Sequence, residues 1–313
     1  MTTMQAVSFH SYGGSEVLVL EEMPRPQAGG GEVLIRVHAA GVNPLDWKVR
    51  TGHVKSWLPH RLPLIPGWDV SGVVEAVGPE VTAFKIGDAV YGMLDFMRNG
   101  AYADYVVART LHLAFKPNRL DHIQAAAVPL TSLTAWQSLF DLAGLESGQT
   151  ALIHGASGGV GHFAVQFAKW KEAKVIGTAS ASNQDFLREL GADEVVDYTS
   201  TKFEKAVHDV DVVLDTIGGD TQERSWRVLK KGGILVATLG ISSPEAAHRH
   251  GVRGEGVMVR PDAAQLTQIA ALIDAGDLKP AVTTILPLAE AQQAHKLSQT
   301  GHVRGKIVLQ VGS

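Results

Sequence analysis

The amino-acid sequence predicts an α/β chain in two parts, an all-β unit followed by a doubly wound parallel sheet. Three observations carry that reading. The first 120 residues read as short apolar segments, each bounded by Gly, Pro or Asn. From Thr150 on, near-continuous β-branched runs alternate with stretches of helical spacing, as in a parallel sheet buried on both faces. A glycine loop sits between the first of those runs and the helix that follows it.

The elements follow in order. VLVLEEMP, then EVLIRVHAAGV after the Gly29-Gly30-Gly31 turn, then WDVSGVVEAVG and DAVYGML read as strands. At Asp121 the texture changes, and HIQAAAVPLTSLTAWQSLFDLAGL is Ala- and Leu-rich with apolar positions at helical spacing. ALIHGA (151–156) is an apolar strand. Val160, Phe163, Ala164, Phe167 and Ala168 then form one stripe of an amphipathic helix. KVIGTAS, EVVDY, DVVLDTI and GILVATLG continue the strands, with QDFLREL and TQERSWRVL as helices between them. From Pro261 the pattern is mixed, AAQLTQIAALIDAG and then GKIVLQV, and this segment is expected to pack back onto the first part. The predicted domains are therefore 1–121 plus 261–313, and 122–260.

Composition narrows the chemistry. The 313 residues are 45% hydrophobic and 19% charged, with 33 Gly, 13 Pro and no Cys, an ordinary globular balance. Without cysteine there are no disulfides, thiolate nucleophiles, iron–sulfur clusters or sulfur-ligated zinc. The net charge of −4 and the absence of a basic run argue against nucleic acid. MTTMQAVSFHSYGG lacks a basic region followed by an apolar stretch, and nowhere do about 18 apolar residues run together. The sequence thus predicts a cytosolic (cytoplasmic) protein with no membrane partner.

The loop Ala156-Ser157-Gly158-Gly159-Val160-Gly161 is a variant of the dinucleotide fingerprint, with Ala at the first glycine position. Gly158 lets the backbone approach a pyrophosphate, Gly161 lets helix and strand pack closely, and the helix N-terminus offers unpaired N–H groups. The overlapping Gly155-Ala156-Ser157-Gly158-Gly159 matches G-x-S-x-G, the nucleophile elbow of α/β-hydrolases, with Ser157 as nucleophile and Asp215 and His295 as partners. The all-β unit before the loop and the third glycine argue against that alternative. About 20 residues on, where an NAD site carries an acid, the chain reads Thr178-Ala179-Ser180-Ala181-Ser182-Asn183. No carboxylate there repels a 2′-phosphate, and Ser180, Ser182 and Asn183 offer it hydrogen bonds, so NADP(H) is the expected cofactor. The cluster equally caps the helix QDFLREL.

The glycine loop does not stand alone. Together with Ala39-Ala40-Gly41-Val42-Asn43-Pro44-Leu45-Asp46-Trp47-Lys48, Gly67-Trp68-Asp69-Val70-Ser71-Gly72-Val73-Val74, Gly87-Asp88-Ala89-Val90-Tyr91-Gly92, Leu190-Gly191-Ala192-Asp193 and Gly305-Lys306-Ile307-Val308-Leu309, it resembles the zinc-free medium-chain dehydrogenase/reductases of the quinone oxidoreductase branch. The resemblance covers essentially the whole chain. It implies a GroES-like β catalytic domain, a Rossmann domain, a homodimer, and NADPH-dependent reduction of a quinone or an α,β-unsaturated carbonyl.

Zinc-dependent relatives place a cysteine ligand where this chain has Asn43 and Gly-His-Glu where it has Gly67-Trp68-Asp69. No histidine group shows a ligand spacing. Without a Lewis acid, hydrogen-bond donors must stabilise the developing oxyanion. The resemblance places Asn43 and Lys48 beside the nicotinamide, with Lys48 touching cofactor as much as substrate; Asp46 reads as organising their loop and Asp69 as structural. It also implies cofactor contacts from Thr131, Tyr198, Leu239, Gly240 and His302. Many NADPH-using relatives carry a lysine near Asn183, and this chain has no basic residue there before Arg188. Trp47, Trp68 and Trp136 read equally as core or as stacking surfaces. An enoyl-thioester reductase and a non-catalytic NADP(H)-binding sensor are the alternatives within nucleotide binding.

Overall fold

The first strands are set by period-two burial and closed by turn residues. In the computed structural model, which describes residues 2–312, β1 (Thr3–Ser8) and β2 (Val19–Pro24) pair antiparallel. The main sheet of this part contains β3 (Glu32–Val42), β4 (Asp69–Val77), β5 (Ala89–Met93), β6 (Tyr105–Arg109) and β7 (Leu113–Phe115). The eleven-residue β3 is central, antiparallel to both β4 and β6. A short helix, α1 (Pro44–Arg50), leaves the end of β3 with Pro44 at its first position, where a missing N–H costs no hydrogen bond. Trp68 is fully buried among the core residues of this unit, its indole N–H donating to Arg98 O at 3.1 Å. It is therefore core.

The Ala-rich stretch after Asp121 is broken into pieces. α2 (His122–Ala126) is capped by Asp121, whose carboxylate accepts from Gln124 N–H at 2.7 Å. Pro129 cannot continue a helix but can begin one, so α3 (Pro129–Trp136) starts afresh and runs into a π-turn at Gln137–Leu142. α2 packs on β3 at Gly41, where a Cβ would lie 2.9 Å from Asp69 Cβ and strike Ala126 O. This packing places the division of the chain at Leu130 rather than Asp121.

The second unit, Thr131–Arg260 with Asp277–Lys279, is a six-stranded sheet with every pair parallel. Its strands are β8 (Thr150–Ile153), β9 (Lys174–Ala179), β10 (Glu194–Asp197), β11 (Val210–Asp215), β12 (Leu229–Ala237) and β13 (Arg253–Gly256), in the order β10-β9-β8-β11-β12-β13. The helices α4 (Gly159–Trp170), α5 (Gln184–Glu189), α6 (Gly219–Ser225) and α7 (Pro244–His250) connect them. On α4 the predicted stripe is buried at Phe163, Ala164, Phe167 and Ala168, while His162, Val165 and Gln166 are buried as well. Trp136 and Phe140 pack on Phe167 of the predicted stripe, and on the additional face Gln166 Nε2 donates to Lys279 O at 3.1 Å.

From Pro261 the chain returns to the first unit. α8 (Ala263–Ala275) is capped by Asp262 and stopped by Gly276 at φ +95°. Lys279 N–H donates to Gln166 Oε1 at 2.8 Å, which ties 277–279 to the second unit instead. β14 (Val282–Pro287) and α9 (Ala291–Gln299) then precede β15 (Lys306–Gln310), which lies antiparallel to β3 with Ile307 opposite Val42.

Candidate active site and nucleotide site

In the second unit the strand order reverses between β8 and β11. That switch point opens a crevice at the carboxyl ends of the strands, the usual nucleotide position in open α/β sheets. Gly155 makes the sharp exit from β8 at φ +64°. It takes the tight-turn role from the predicted Ala156, which is fully buried and donates its N–H to Thr178 O. Gly158 caps α4, and the first intrahelical bond runs from His162 N–H to Gly158 O at 3.0 Å. The N–H groups of Gly159, Val160 and Gly161 precede it and face outward from the helix end without helical partners. Thr216, after β11, donates its hydroxyl to His154 O at 2.8 Å and so ties the two switch-point loops together.

The polar residues at the end of β9 form a cluster. Ser180 and Ser182 hydroxyls lie 3.1 Å apart and Asn183 Nδ2 donates to Ser180 Oγ at 3.2 Å. Tyr198 is 54% exposed, and its backbone N–H donates to Ala179 O. Leu239 is also exposed and Gly240 has φ +80°. Gln222, which sequence reasoning missed, bonds Asp215 Oδ2, Gly240 O and Ser242 and so joins the ends of β11 and β12. Thr131 is buried at the start of α3. His302, in the other unit, is exposed and turned onto Thr300 O at 2.6 Å.

The elbow partners are occupied elsewhere. Asp215 accepts from Ile217 N–H, Gly218 N–H and Gln222, and His295 is fully buried with Nδ1 3.0 Å from Arg50 Nη1. Burial pushes His295 down to about 3. Neither is arranged to activate Ser157.

In the first unit, strand register builds a second polar site. Gly41 lies opposite Asp69 and Val42 opposite Ile307, so Asn43, Asp69 and Lys306 meet at one end of three adjacent strands. Asn43 Nδ2 donates to Asp69 Oδ2 at 2.8 Å, and the Lys306 ammonium donates to Asn43 Oδ1 at 2.5 Å, Val42 O at 3.0 Å and Asp69 Oδ2 at 3.2 Å. Asp69 Oδ1 accepts from Leu130 N–H at 2.6 Å. Asn43, Asp69 and Lys306 are 1%, 0% and 3% exposed. Stripping one partner from such a buried pair costs about 3–5 kcal/mol, because the other charge is left in a low dielectric. Lys306 and Asp69 were legible as candidates only in one respect, a single charge at the head of each of two apolar strands.

Asp46 sits on the same turn. Its Oδ2 accepts from Asn43 N–H at 2.7 Å and from Tyr102 OH at 3.0 Å, while the buried Oδ1 has no partner. This is half of a capping box for α1, since the Asn43 side chain is turned away to Asp69 and Lys306. Desolvation pushes the Asp46 carboxyl up to about 7, against the Asn43 N–H bond and the Lys306 charge, which pull it down. A carboxyl whose folded value lies above its unfolded one favours folding when protonated. Its contribution is therefore lost as pH rises from about 4 to about 7. The half-buried His122 and the buried His154, held near 4 by desolvation, act with the opposite sign. Asp46→Asn, which keeps the acceptor oxygen, is accordingly expected to gain thermal stability relative to wild type between pH 4 and 7. Melting curves in which the difference stays constant across that range contradict the assignment.

Lys48, two residues further along α1, is half-buried with Nζ 5.7 Å from the Trp47 ring centroid. Among the described residues no carboxylate pairs with it, and desolvation alone holds it below the usual lysine range.

This donor set does not fit a zinc ion. The chain has no cysteine, the described residues contain no group of three or more His, Asp or Glu able to hold a metal, and an ammonium already takes the oxygens of Asn43 and Asp69.

Known proteins resemble this chain over nearly its whole length. Residues 29–118 match the alcohol dehydrogenase GroES-like domain family, and residues 190–309 match the zinc-binding dehydrogenase family. The mouse mitochondrial NAD(P)H oxidoreductase RTN4IP1 is 34% identical over 99% of this chain and 90% of its own. The 2-methylene-furan-3-one reductase of Solanum lycopersicum is 35% identical over 98% of this chain and 79% of its own. The solved quinone oxidoreductase of Coxiella burnetii is 37% identical, with a TM-score of 0.93 over 99% of this chain and 100% of its own. The expectation of a cytosolic protein is corrected by these relatives, since proteins alike over nearly their full length are named mitochondrial. Compartment is set by targeting signals that fold and site chemistry do not record. By motif order, by a GroES-like unit beside a Rossmann unit, and by these likenesses, the chain is an oxidoreductase with a nicotinamide cofactor and belongs to the medium-chain dehydrogenase/reductase family, of the quinone and enone reductase type.

Proposed function

We propose that this chain is a metal-free, NADPH-dependent reductase of quinones or α,β-unsaturated carbonyls. The observation that carries the reading is Lys48, a partly desolvated ammonium with no carboxylate partner, on a turn that Asn43 and Asp46 fasten through hydrogen bonds to Asp69 and to the Asn43 N–H. Bound NADPH supplies the hydride. Reduction of an enone or quinone leaves negative charge on the carbonyl oxygen, and a preorganised cation outside bulk water stabilises that charge more than it stabilises the neutral substrate. In this reading Lys48 donates there. Asn43 and Asp46 hold the first turn of α1, and Asn43 acts from within, because Asp69 and Lys306 take its amide ends and the residue is 1% exposed.

The choice of NADPH over NADH rests on the end of β9. Ser180, Ser182 and Asn183 form a carboxylate-free cluster able to donate to a 2′-phosphate. Arg188 is committed to Asp185 and Gln184. The backbone N–H groups of Gly159, Val160 and Gly161 and the hydroxyl groups of Thr131 and Tyr198 complete the proposed contacts.

The test is nucleotide oxidation against a panel of quinones, enals and enones. Turnover with NADPH at a kcat/KM at least tenfold above that with NADH is expected, and it should survive exhaustive chelation. No turnover with any acceptor rejects the function. Loss with EDTA and recovery with zinc rejects the metal-free chemistry, and equal use of NADH rejects the reading of the Ser180 cluster.

A further inference from the structure

The sequence motifs leave Lys306 without a role, and the structure gives it an unusual setting. It heads an apolar strand, is 3% exposed, and spends its ammonium on three oxygens: Val42 O, Asn43 Oδ1 and Asp69 Oδ2. A lysine is a compact, strongly hydrated charge and is rarely buried unless its charge is paired and its donors are used. Here all three donors are used, which accounts for the burial. Two of the three oxygens belong to Val42, the last residue of β3, and Asn43, the N-cap of α1, which is the helix that carries Lys48.

The position of the ammonium also decides which way the Asn43 amide points. An amide between a carboxylate and an ammonium has one favourable orientation, with N–H toward the anion and the carbonyl toward the cation. Reversing it would set the amide N–H₂ against Lys306 and the carbonyl against Asp69. The same Asp69 carboxylate reaches Leu130 N–H through its other oxygen. The cation thus neutralises the one anion on which both the Asn43 turn and the start of α3 are fastened.

We propose that Lys306 is a positioning residue for the reduction, acting through Asn43 and Asp69 to hold the turn from which Lys48 works. The proposal rests on the reductase reading above. Lys306 touches neither substrate nor cofactor in this role. Its loss therefore acts chiefly on the chemical step, because the other unit's glycine loop, which carries the proposed pyrophosphate contacts, is not among the groups that Lys306 holds.

The absence of cysteine makes a charge-specific test direct. Lys306→Cys introduces the only thiol in the chain. Alkylating it in denaturant with 2-bromoethylamine and refolding restores an ammonium on a thioether stem of nearly lysine length, whereas iodoacetamide gives a neutral amide. We expect the carbamidomethyl form to lose at least tenfold in kcat with the NADPH dissociation constant within twofold of wild type, and the aminoethyl form to recover most of that loss. Should the carbamidomethyl form not refold, Asp69→Asn combined with Lys306→Met removes both charges of the pair at once, and the same split between kcat and nucleotide binding is expected. Equal kcat in the two alkylated forms, a kcat unchanged from wild type, or a parallel loss of NADPH affinity overturns the role of Lys306. Wild-type protein that turns over no acceptor instead overturns the reductase reading, and the two failures are thereby told apart.

Discussion

Gly161→Ala is expected to weaken NADPH binding by roughly five- to a hundredfold, the equivalent of about 1–3 kcal/mol of overpacking. A Cβ at this position would lie 2.6 Å from Ala156 Cα and press on Gly155 O, both backbone atoms of the turn that leaves β8. Neither can give way as a flexible side chain can. The methyl must push α4 off the strand, and the N–H groups of its first turn move with it. Gly158→Ala makes the useful contrast, because a Cβ there meets only Gly155 O, at 3.3 Å. Its effect should be several-fold smaller. Fluorescence titration of NADPH into both variants, with melting temperatures alongside, decides the matter. Equal affinities in the two would place the nucleotide somewhere other than this loop.

Lys48→Met is expected to lower kcat by about 10²–10³-fold, the usual cost of removing one preorganised donor from a developing oxyanion. NADPH affinity should change far less. The pH profile supplies a second readout. Desolvation holds the Lys48 ammonium below the ordinary lysine range, so the wild-type rate should fall as pH rises through that lowered value, where the donor loses its charge. Lys48→Arg stays charged throughout and should lack that limb, even if its bulkier head slows the reaction. A Lys48→Met enzyme with wild-type kcat, or an alkaline limb that persists in Lys48→Arg, would remove Lys48 from the mechanism.

The two sites differ in how far local sequence reveals them. The glycine loop lies within six consecutive residues, and its flanks carry the continuous apolar run and the 3.6-residue pattern that place it between strand and helix. Its reading needed no knowledge of distant parts of the chain. The fingerprint's first glycine position falls on Ala156, while the tight turn itself is made one residue earlier, at Gly155. The positive φ at Gly155 is a backbone property that composition does not display. The break of the Ala-rich stretch at Pro129 was legible in principle, since proline cannot continue a helix.

The polar cluster of the first unit is another matter. Asn43 and Asp46 were visible on one short turn, yet their partners lie far along the chain, with Asp69 on the next strand, Tyr102 beyond it and Lys306 near the end. Only strand register brings them together. A slip of one residue in β15 would turn Lys306 to the opposite face of the sheet.

What the sequence alone determined was the class of chemistry. A cysteine-free chain with a glycine loop between strand and helix, and no acid at the end of the next strand, is a nucleotide-dependent protein without a sulfur-ligated metal. What only the tertiary structure decided was which groups remain open to react. Burial ties up Asn43, leaves Asp46 with an unmet oxygen and puts an ammonium between Asn43 and Asp69, while Lys48 keeps its charge unpaired. The physical reason is that hydrogen-bond patterns and periodicities act over a few residues and are written locally. Desolvation and charge pairing depend instead on neighbours that the chain brings together from opposite ends.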